Sequence, residues 1–128
     1  MTGVVLDASA LLAMMRDEPG AARVAMALDG ALISTVNWAE VAGHYTQRGV
    51  SLKSTRARMA TLPVLIVPAT ADHALEAAAL LPATRSAGLS LGDRFCLALA
   101  RGEQRRALTA DRAWSMLSLD GIEIELIR

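Results

Sequence analysis

Four stretches of this chain carry an acid at a point where one secondary-structure element should give way to the next. Asp7 closes the apolar run of GVVLDASALL, Glu40 lies in STVNWAEV, Asp93 in SLGDRFCLALA and Asp111 in ALTADRAW. A lone acid at a helix start is ordinary, because it complements the partial positive charge there and caps free N–H groups. Ser90-Leu91-Gly92-Asp93 and Asn37-Trp38-Ala39-Glu40 both have capping-box spacing, and Asp7 and Asp111 are each placed to cap the helix that follows. Capping accounts for each acid alone, but it does not account for their surroundings. Glu40 and Asp93 precede apolar helical faces that should pack inward, which draws their carboxylates toward the core edge, where an unpaired acid is costly.

Grouped carboxylates also repel. Two like charges about 4 Å apart cost about 4 kcal/mol at an effective dielectric of about 20. A group of four is tolerable when a cation cancels the charge, and hard oxygen donors select Mg²⁺ or Mn²⁺ over zinc. A zinc set is lacking: the chain has one cysteine, Cys96, and two histidines, His44 and His73, in separate segments. Cys96 follows Phe95 within an apolar helical stretch and reads as a core residue. The histidines have no acidic partner at a useful spacing and read as helix-surface or core residues.

The elements that must position these acids alternate along the chain. Val4 to Leu6 reads as a strand and Ala8 to Met15 as a helix. Pro19 suits the first turn of a second helix over 19–29, closed by Gly30. Ala31 to Ser34 is a strand. Thr35 or Asn37 is placed to cap a helix running to about Arg48, and a further helix spans Ser51 to Leu62. Val64 to Val67 is the clearest strand. A helix follows over Ala71 to Leu81, then a loop over 82–90 and a helix from Leu91 to Gly102. Ala107 to Thr109 is a short strand, 112–117 a short helix, and Ile122 to Ile127 a last strand. Strands alternating with helices imply a three-layer α/β/α sandwich with a mostly parallel central sheet. In such sheets, sites collect outside the carboxyl ends of the strands. All four acids map to that edge or to the first turns of helices leaving it.

The remaining composition sets bounds. The 128 residues suit one domain over 1–128. The core is aliphatic: 53% of residues are hydrophobic and only 3% aromatic, which argues against a base-stacking platform for single-stranded nucleic acid. Formal net charge is zero, so contact with a polyanion must come from a local basic patch. Lys53, Arg56 and Arg58 in one helix, and Arg101, Arg105 and Arg106 at the end of another, read mainly as solvated faces. Arg94 and Arg112 each follow one of the four acids directly, a position that serves a phosphate contact or a salt bridge equally well. A lone cysteine fits a reducing compartment. The N-terminus enters VVLD with no signal-peptide pattern, and the longest uncharged stretch, 59–71, is too short to span a bilayer. The expectation is a cytoplasmic protein without membrane segments. The high apolar content in so small a chain also points to a partner surface within residues 19–62.

VVLDASALLAMMRDEPG, STVNWAEV, LSLGDRFCLALA and ALTADRAW together resemble the PIN-domain family, and most closely the short toxins of VapBC toxin–antitoxin pairs. The resemblance covers nearly the whole chain, and its first and third segments are the most specific. Each acid of the family pattern finds an acid here: Asp7, Glu40, Asp93 and Asp111. Small hydroxyl residues match as well, with Ser9 two positions after Asp7 and Thr109 two before Asp111. The resemblance implies a Mg²⁺- or Mn²⁺-dependent endoribonuclease, a homodimer, and a VapB-type antitoxin whose tail covers the acidic site. On this reading Asp7 and Asp93 hold the main ion and Glu40 completes its shell directly or through water. Asp111 supports a second ion or orients the attacking water, and Ser9 and Thr109 hydrogen-bond the acids. An aspartyl-nucleophile phosphatase is disfavoured because its second acid is replaced by Ser9. A receiver domain is disfavoured because the only lysine is Lys53. A DNA-directed nuclease of related fold stays open, though the chain is too short for DNA-threading elements. The rival from another class is a catalytically silent PIN-like module acting through a protein partner.

Overall fold

The computed structural model describes residues 3–128. The chain runs β1 (Val4–Leu6), α1 (Ala8–Met15), α2 (Ala21–Ala27), β2 (Leu32–Ser34), α3 (Thr35–Gln47), α4 (Leu52–Met59) and β3 (Leu65–Val67). It continues through α5 (Ala71–Ala79), α6 (Leu81–Thr84), α7 (Leu91–Glu103), β4 (Arg106–Thr109), a 3-10 helix (Arg112–Met116) and β5 (Ile124–Leu126). The five strands form one sheet in the order β3-β2-β1-β4-β5, and every neighbouring pair is parallel. This is the expected α/β/α sandwich.

Successive side chains in a strand point to opposite faces. Val4 and Leu6 pack with Leu11, Val24, Val41, Tyr45 and Met59 beneath α1 to α4. Val5, between them, packs with Ala77, Leu97, Leu99 and Ala107 beneath α5 and α7. A sheet covered on both sides needs apolar residues at consecutive positions, and β1 reads VVL and is buried throughout. Strand order decides where a site can form. The chain steps from β1 outward to β3, then crosses back to place β4 on the other side of β1. The direction of winding therefore reverses between β1 and β4, and a crevice opens there at their carboxyl ends.

Several local expectations need correction. The second helix starts at Ala21, not Pro19, because Gly20 turns the chain with a left-handed φ of 96°. A Cβ there would also collide with Ile127. Ser34, rather than Thr35 or Asn37, caps α3, accepting from the Val36 N–H at 3.1 Å. Part of the expected 82–90 loop is the short helix α6, which tolerates Pro82 in its first turn, where no N–H partner is needed. The most strand-like segment of the sequence, β3, is the exposed edge: Leu65 and Ile66 are 56% and 43% exposed. Ile66 faces a groove lined by Trp38, Ala42, Leu52 and Met59, while Val67 packs against the core. Among the described residues, no helix is long and apolar enough to cross a membrane.

Candidate functional site

The reversal between β1 and β4 is where the first acid lies. These strands pair Val4 with Arg106, Val5 with Ala107 and Leu6 with Leu108. The Asp7 N–H then donates to the Leu108 carbonyl at 2.9 Å, which extends the ladder one step beyond β1 and sets Asp7 beside Thr109. Asp7 holds the N-cap position of α1, yet its side chain makes no capping bond. Instead its Oδ2 accepts from Ser9 Oγ at 2.6 Å and from Thr109 Oγ1 at 2.9 Å. Each hydroxyl is itself polarised by a backbone donor: the Ala110 N–H reaches Ser9 Oγ at 3.0 Å, and the Asp111 N–H reaches Thr109 Oγ1 at 3.1 Å.

Asp7 is 3% exposed. Burial pushes its carboxyl pKa up to about 7. The Ser9 and Thr109 hydroxyls oppose that rise, while the charges of Asp93 and Glu40 add to it.

Asp93 lies in the first turn of α7 and does cap it. Its Oδ2 accepts from the Ser90 N–H at 2.9 Å, and its own N–H donates to Ser90 Oγ at 3.2 Å. The capping box expected at residues 90–93 is complete. This bond occupies only one carboxylate oxygen. Burial raises the Asp93 pKa, with the charge of Asp111 adding and the Ser90 hydrogen bonds and Arg94 opposing. Asp111 precedes the 3-10 helix, and its Oδ1 accepts from the Ala113 N–H at 3.0 Å. The capping role therefore holds for Asp93 and Asp111 and fails for Asp7.

It fails for Glu40 as well, because Asn37 is already inside α3. The Asn37 side chain is fully buried, and its Nδ2 donates to Glu40 Oε1 at 2.8 Å and to the Gly92 carbonyl at 3.0 Å. The Glu40 carboxylate lies so close against Gly92 that a Cβ there would overlap it. Desolvation raises the Glu40 pKa, with Asp93 adding and the Asn37 hydrogen bond opposing.

Four acids thus share one field at the carboxyl edge of the sheet. Asp7 feels Asp93 and Glu40, Glu40 feels Asp93, and Asp93 feels Asp111. None of the ion pairs among the described residues includes any of the four. Nor, among the described residues, are three or more His, Cys, Asp or Glu side chains disposed to hold one ion in common. The donor chemistry fits a hard divalent cation all the same. Mg²⁺ takes one or two carboxylates and keeps several waters, so a closed protein cage is not its usual site. A buried carboxyl raised by burial and like charge is the kind of group a cation would return to its ionised form.

Sequence reasoning missed Asn37 and Gly92. The only signal was the three-residue interval from Asn37 to Glu40, which has the spacing of a helix cap as well as of an intrahelical contact.

Of the other candidates, Arg94 adjoins the acids and acts on Asp93. Arg112 Nη1 donates to the Arg128 carbonyl at 3.0 Å, tying down the C-terminal residue. Arg94 is half-buried, and its Nε has no hydrogen-bond partner among the described residues. Arg101 pairs with Glu76, and Arg106 with Glu123 and Glu125. Arg58 lies over the Tyr45 ring at 5.0 Å. Cys96 is buried beneath the acids, and burial above all holds its thiol well above the usual range. His73 accepts from the Thr70 N–H in the capping box of α5.

Several solved structures share this architecture. A chain of a toxin–antitoxin complex from Klebsiella pneumoniae superposes with a TM-score of 0.70 at 21% identity, covering 94% of this chain and 95% of that one. A chain of DNA-bound VapBC from Salmonella typhimurium gives 0.73 at 14% identity, with all of both chains covered. A chain of VapBC2 from Rickettsia felis, bound to a promoter DNA fragment, gives 0.69 at 13%, covering 96% and 97%. At these identities the likeness is one of fold. No curated protein matches the chain. The PIN-domain family model matches residues 4–118, which takes in all four acids and nearly every element of the sheet, and the chain belongs to the PIN-domain family.

Proposed function

We propose that this chain is a Mg²⁺- or Mn²⁺-dependent endoribonuclease, the toxin of a VapBC-type pair, acting in the cytoplasm as a homodimer. The observation that carries the reading is the like-signed edge: Asp7, Glu40 and Asp93 act on one another's charge and Asp111 on that of Asp93, with no ion-paired cation among the described residues. Asp7 and Asp93 would hold the ion, with Glu40 and Asp111 flanking it. When bound, a divalent ion supplies a water of lowered pKa and offsets charge developing on the phosphate. Ser9 and Thr109 fix the Asp7 carboxylate from one side, leaving Oδ1 outside that pair of bonds. Asn37 does the same for Glu40. Arg94, next to Asp93, is the residue we assign to an RNA phosphate.

The named neighbours are toxin–antitoxin complexes, and on that likeness we assign a VapB-type antitoxin as partner. The groove of Trp38, Ala42, Leu52, Met59 and Ile66, with Leu52 and Ile66 exposed at its rim, offers the apolar surface that such a partner needs. It lies mostly within the 19–62 region expected to carry a partner surface.

A second reading keeps the fold as a binding module without turnover, and the lack of three converged donors among the described residues favours it. One experiment separates the two. Purified, antitoxin-free protein is incubated with total RNA and Mg²⁺ beside an Asp7→Asn control. Discrete fragments from the first alone support the nuclease, and identical lanes support the binding module.

A further inference from the structure

The four acids are not held alike. Asp7, Asp93 and Asp111 are fixed by hydroxyls and backbone N–H groups next to them in sequence or across the sheet. Glu40 is the most solvent-facing of those in helices, with the longest side chain, and its one hydrogen bond comes from a residue at zero exposure. Both partners of Asn37 Nδ2 are acceptors, the Glu40 carboxylate and the Gly92 carbonyl. The amide must therefore present its NH₂ to this side. Its Oδ1, buried on the other side, has no partner among the described residues. Leaving a buried acceptor unpaired is unfavourable. An apolar residue of similar size would avoid that penalty, so what Asn37 provides is the fork of two N–H donors.

The fork joins two helices. Glu40 is on α3 with Asn37, while Gly92 immediately precedes Asp93 on α7. Gly92 closes the arrangement from below, since only a residue without Cβ lets the Glu40 carboxylate rest against α7. We infer that Asn37 is a positioning residue: through one amide it sets the Glu40 carboxylate against the α7 turn that carries Asp93, and so fixes the separation of two cation-binding oxygens. This rests on the cation-binding part of the proposed function and not on RNA cleavage.

The test is a double-mutant cycle read as Mn²⁺ affinity by calorimetry on the free protein, with melting curves in metal-free buffer beside it. Asn37→Leu keeps the bulk and removes the fork. It is expected to raise the Mn²⁺ dissociation constant about 10-fold, the usual cost of losing a group that orients a ligand. In a Glu40→Gln background the same change should leave Mn²⁺ affinity where Glu40→Gln alone puts it, because the group Asn37 positions is then no longer a carboxylate. A purely structural amide would lower affinity equally in both backgrounds, which would overturn the inference, as would wild-type affinity in Asn37→Leu or no measurable Mn²⁺ binding by the wild type. Gly92→Ala guards against a variant that does not fold. Its added methyl displaces the Glu40 carboxylate from the opposite side and should weaken Mn²⁺ binding by a similar factor. RNA cleavage is scored separately: a wild type that binds Mn²⁺ with a non-additive cycle but leaves RNA intact sustains Asn37 and removes the nuclease.

Discussion

Two regions of the sheet carry charge in opposite ways. Along the edge strand β5 and the amino end of β4, Arg23, Arg106, Glu123 and Glu125 alternate in sign and pair with one another. At the carboxyl end, Asp7, Glu40, Asp93 and Asp111 share one sign and pair with no cation among the described residues. The pKa directions record the contrast. Arg23, through its hydrogen bond, holds the Glu125 carboxyl below the usual range, whereas burial lifts that of Asp7 to about 7. An edge that neutralises itself serves stability, while the unneutralised one is where the proposed cation would bind.

That contrast can be broken most forcefully at Asp7. Asp7→Asn should lower Mg²⁺-dependent RNA cleavage about 10³-fold, since metal-centred charge stabilisation is worth several kcal/mol. A rate within threefold of wild type would mean that the carboxyl edge is not the reacting one.

The next largest effect is on pH dependence without metal. Asp7 titrates near 3.8 when unfolded and near 7 when folded, so the folded state binds more protons between those values. Its contribution is complete below about pH 4 and is lost as pH rises through about 7, a fall on the order of 4 kcal/mol. Asp7→Asn should flatten this slope in chemical denaturation from pH 4 to 8. An unchanged slope would place the buried proton elsewhere.

A smaller change sharpens the comparison. Thr109→Val removes one donor to Asp7 while keeping the side-chain shape, and should weaken Mn²⁺ binding about 10-fold. Equal affinity would show that Ser9 alone holds the carboxylate.

The smallest effect belongs to the other region. Glu125→Gln should cost about 1 kcal/mol or less, because the pair is partly exposed and screened. That contribution is present above the unfolded Glu125 value and is lost as pH falls, the reverse of Asp7. Cleavage by this variant should match wild type, and a strong loss of activity would show that the two edges are coupled.

The sequence carried the sheet and the four acids because both follow from local signals. VVL before Asp7 is apolar at every position, as a strand covered on both faces must be, and Asp7, Asp93 and Asp111 mark element boundaries, while Glu40 lies within α3. What it did not carry depended on distant partners. Asn37 and Glu40 looked like a cap, since nothing in STVNWAEV reveals that Gly92 will arrive from α7 to take the second amide proton. The apolar run at Val64 to Val67 read as the clearest strand, and it is one, but periodicity does not tell a sheet interior from an edge beside an apolar groove. Pro82 looked like a loop because a proline inside a helix's first turn resembles one outside it.

The pairing of β1 with β4 has a consequence for biosynthesis. Asp7 and Thr109 are hydrogen-bonded across 102 residues of chain, and the middle of the sheet stays open until β4 emerges. A nascent polypeptide halted before that point holds Asp7, Glu40 and Asp93 but lacks the strand that seats the first of them. Such late, long-range closure is slow to form. The Asp7 pocket is therefore complete only once β4 has been made, and chains halted before Thr109 are without it.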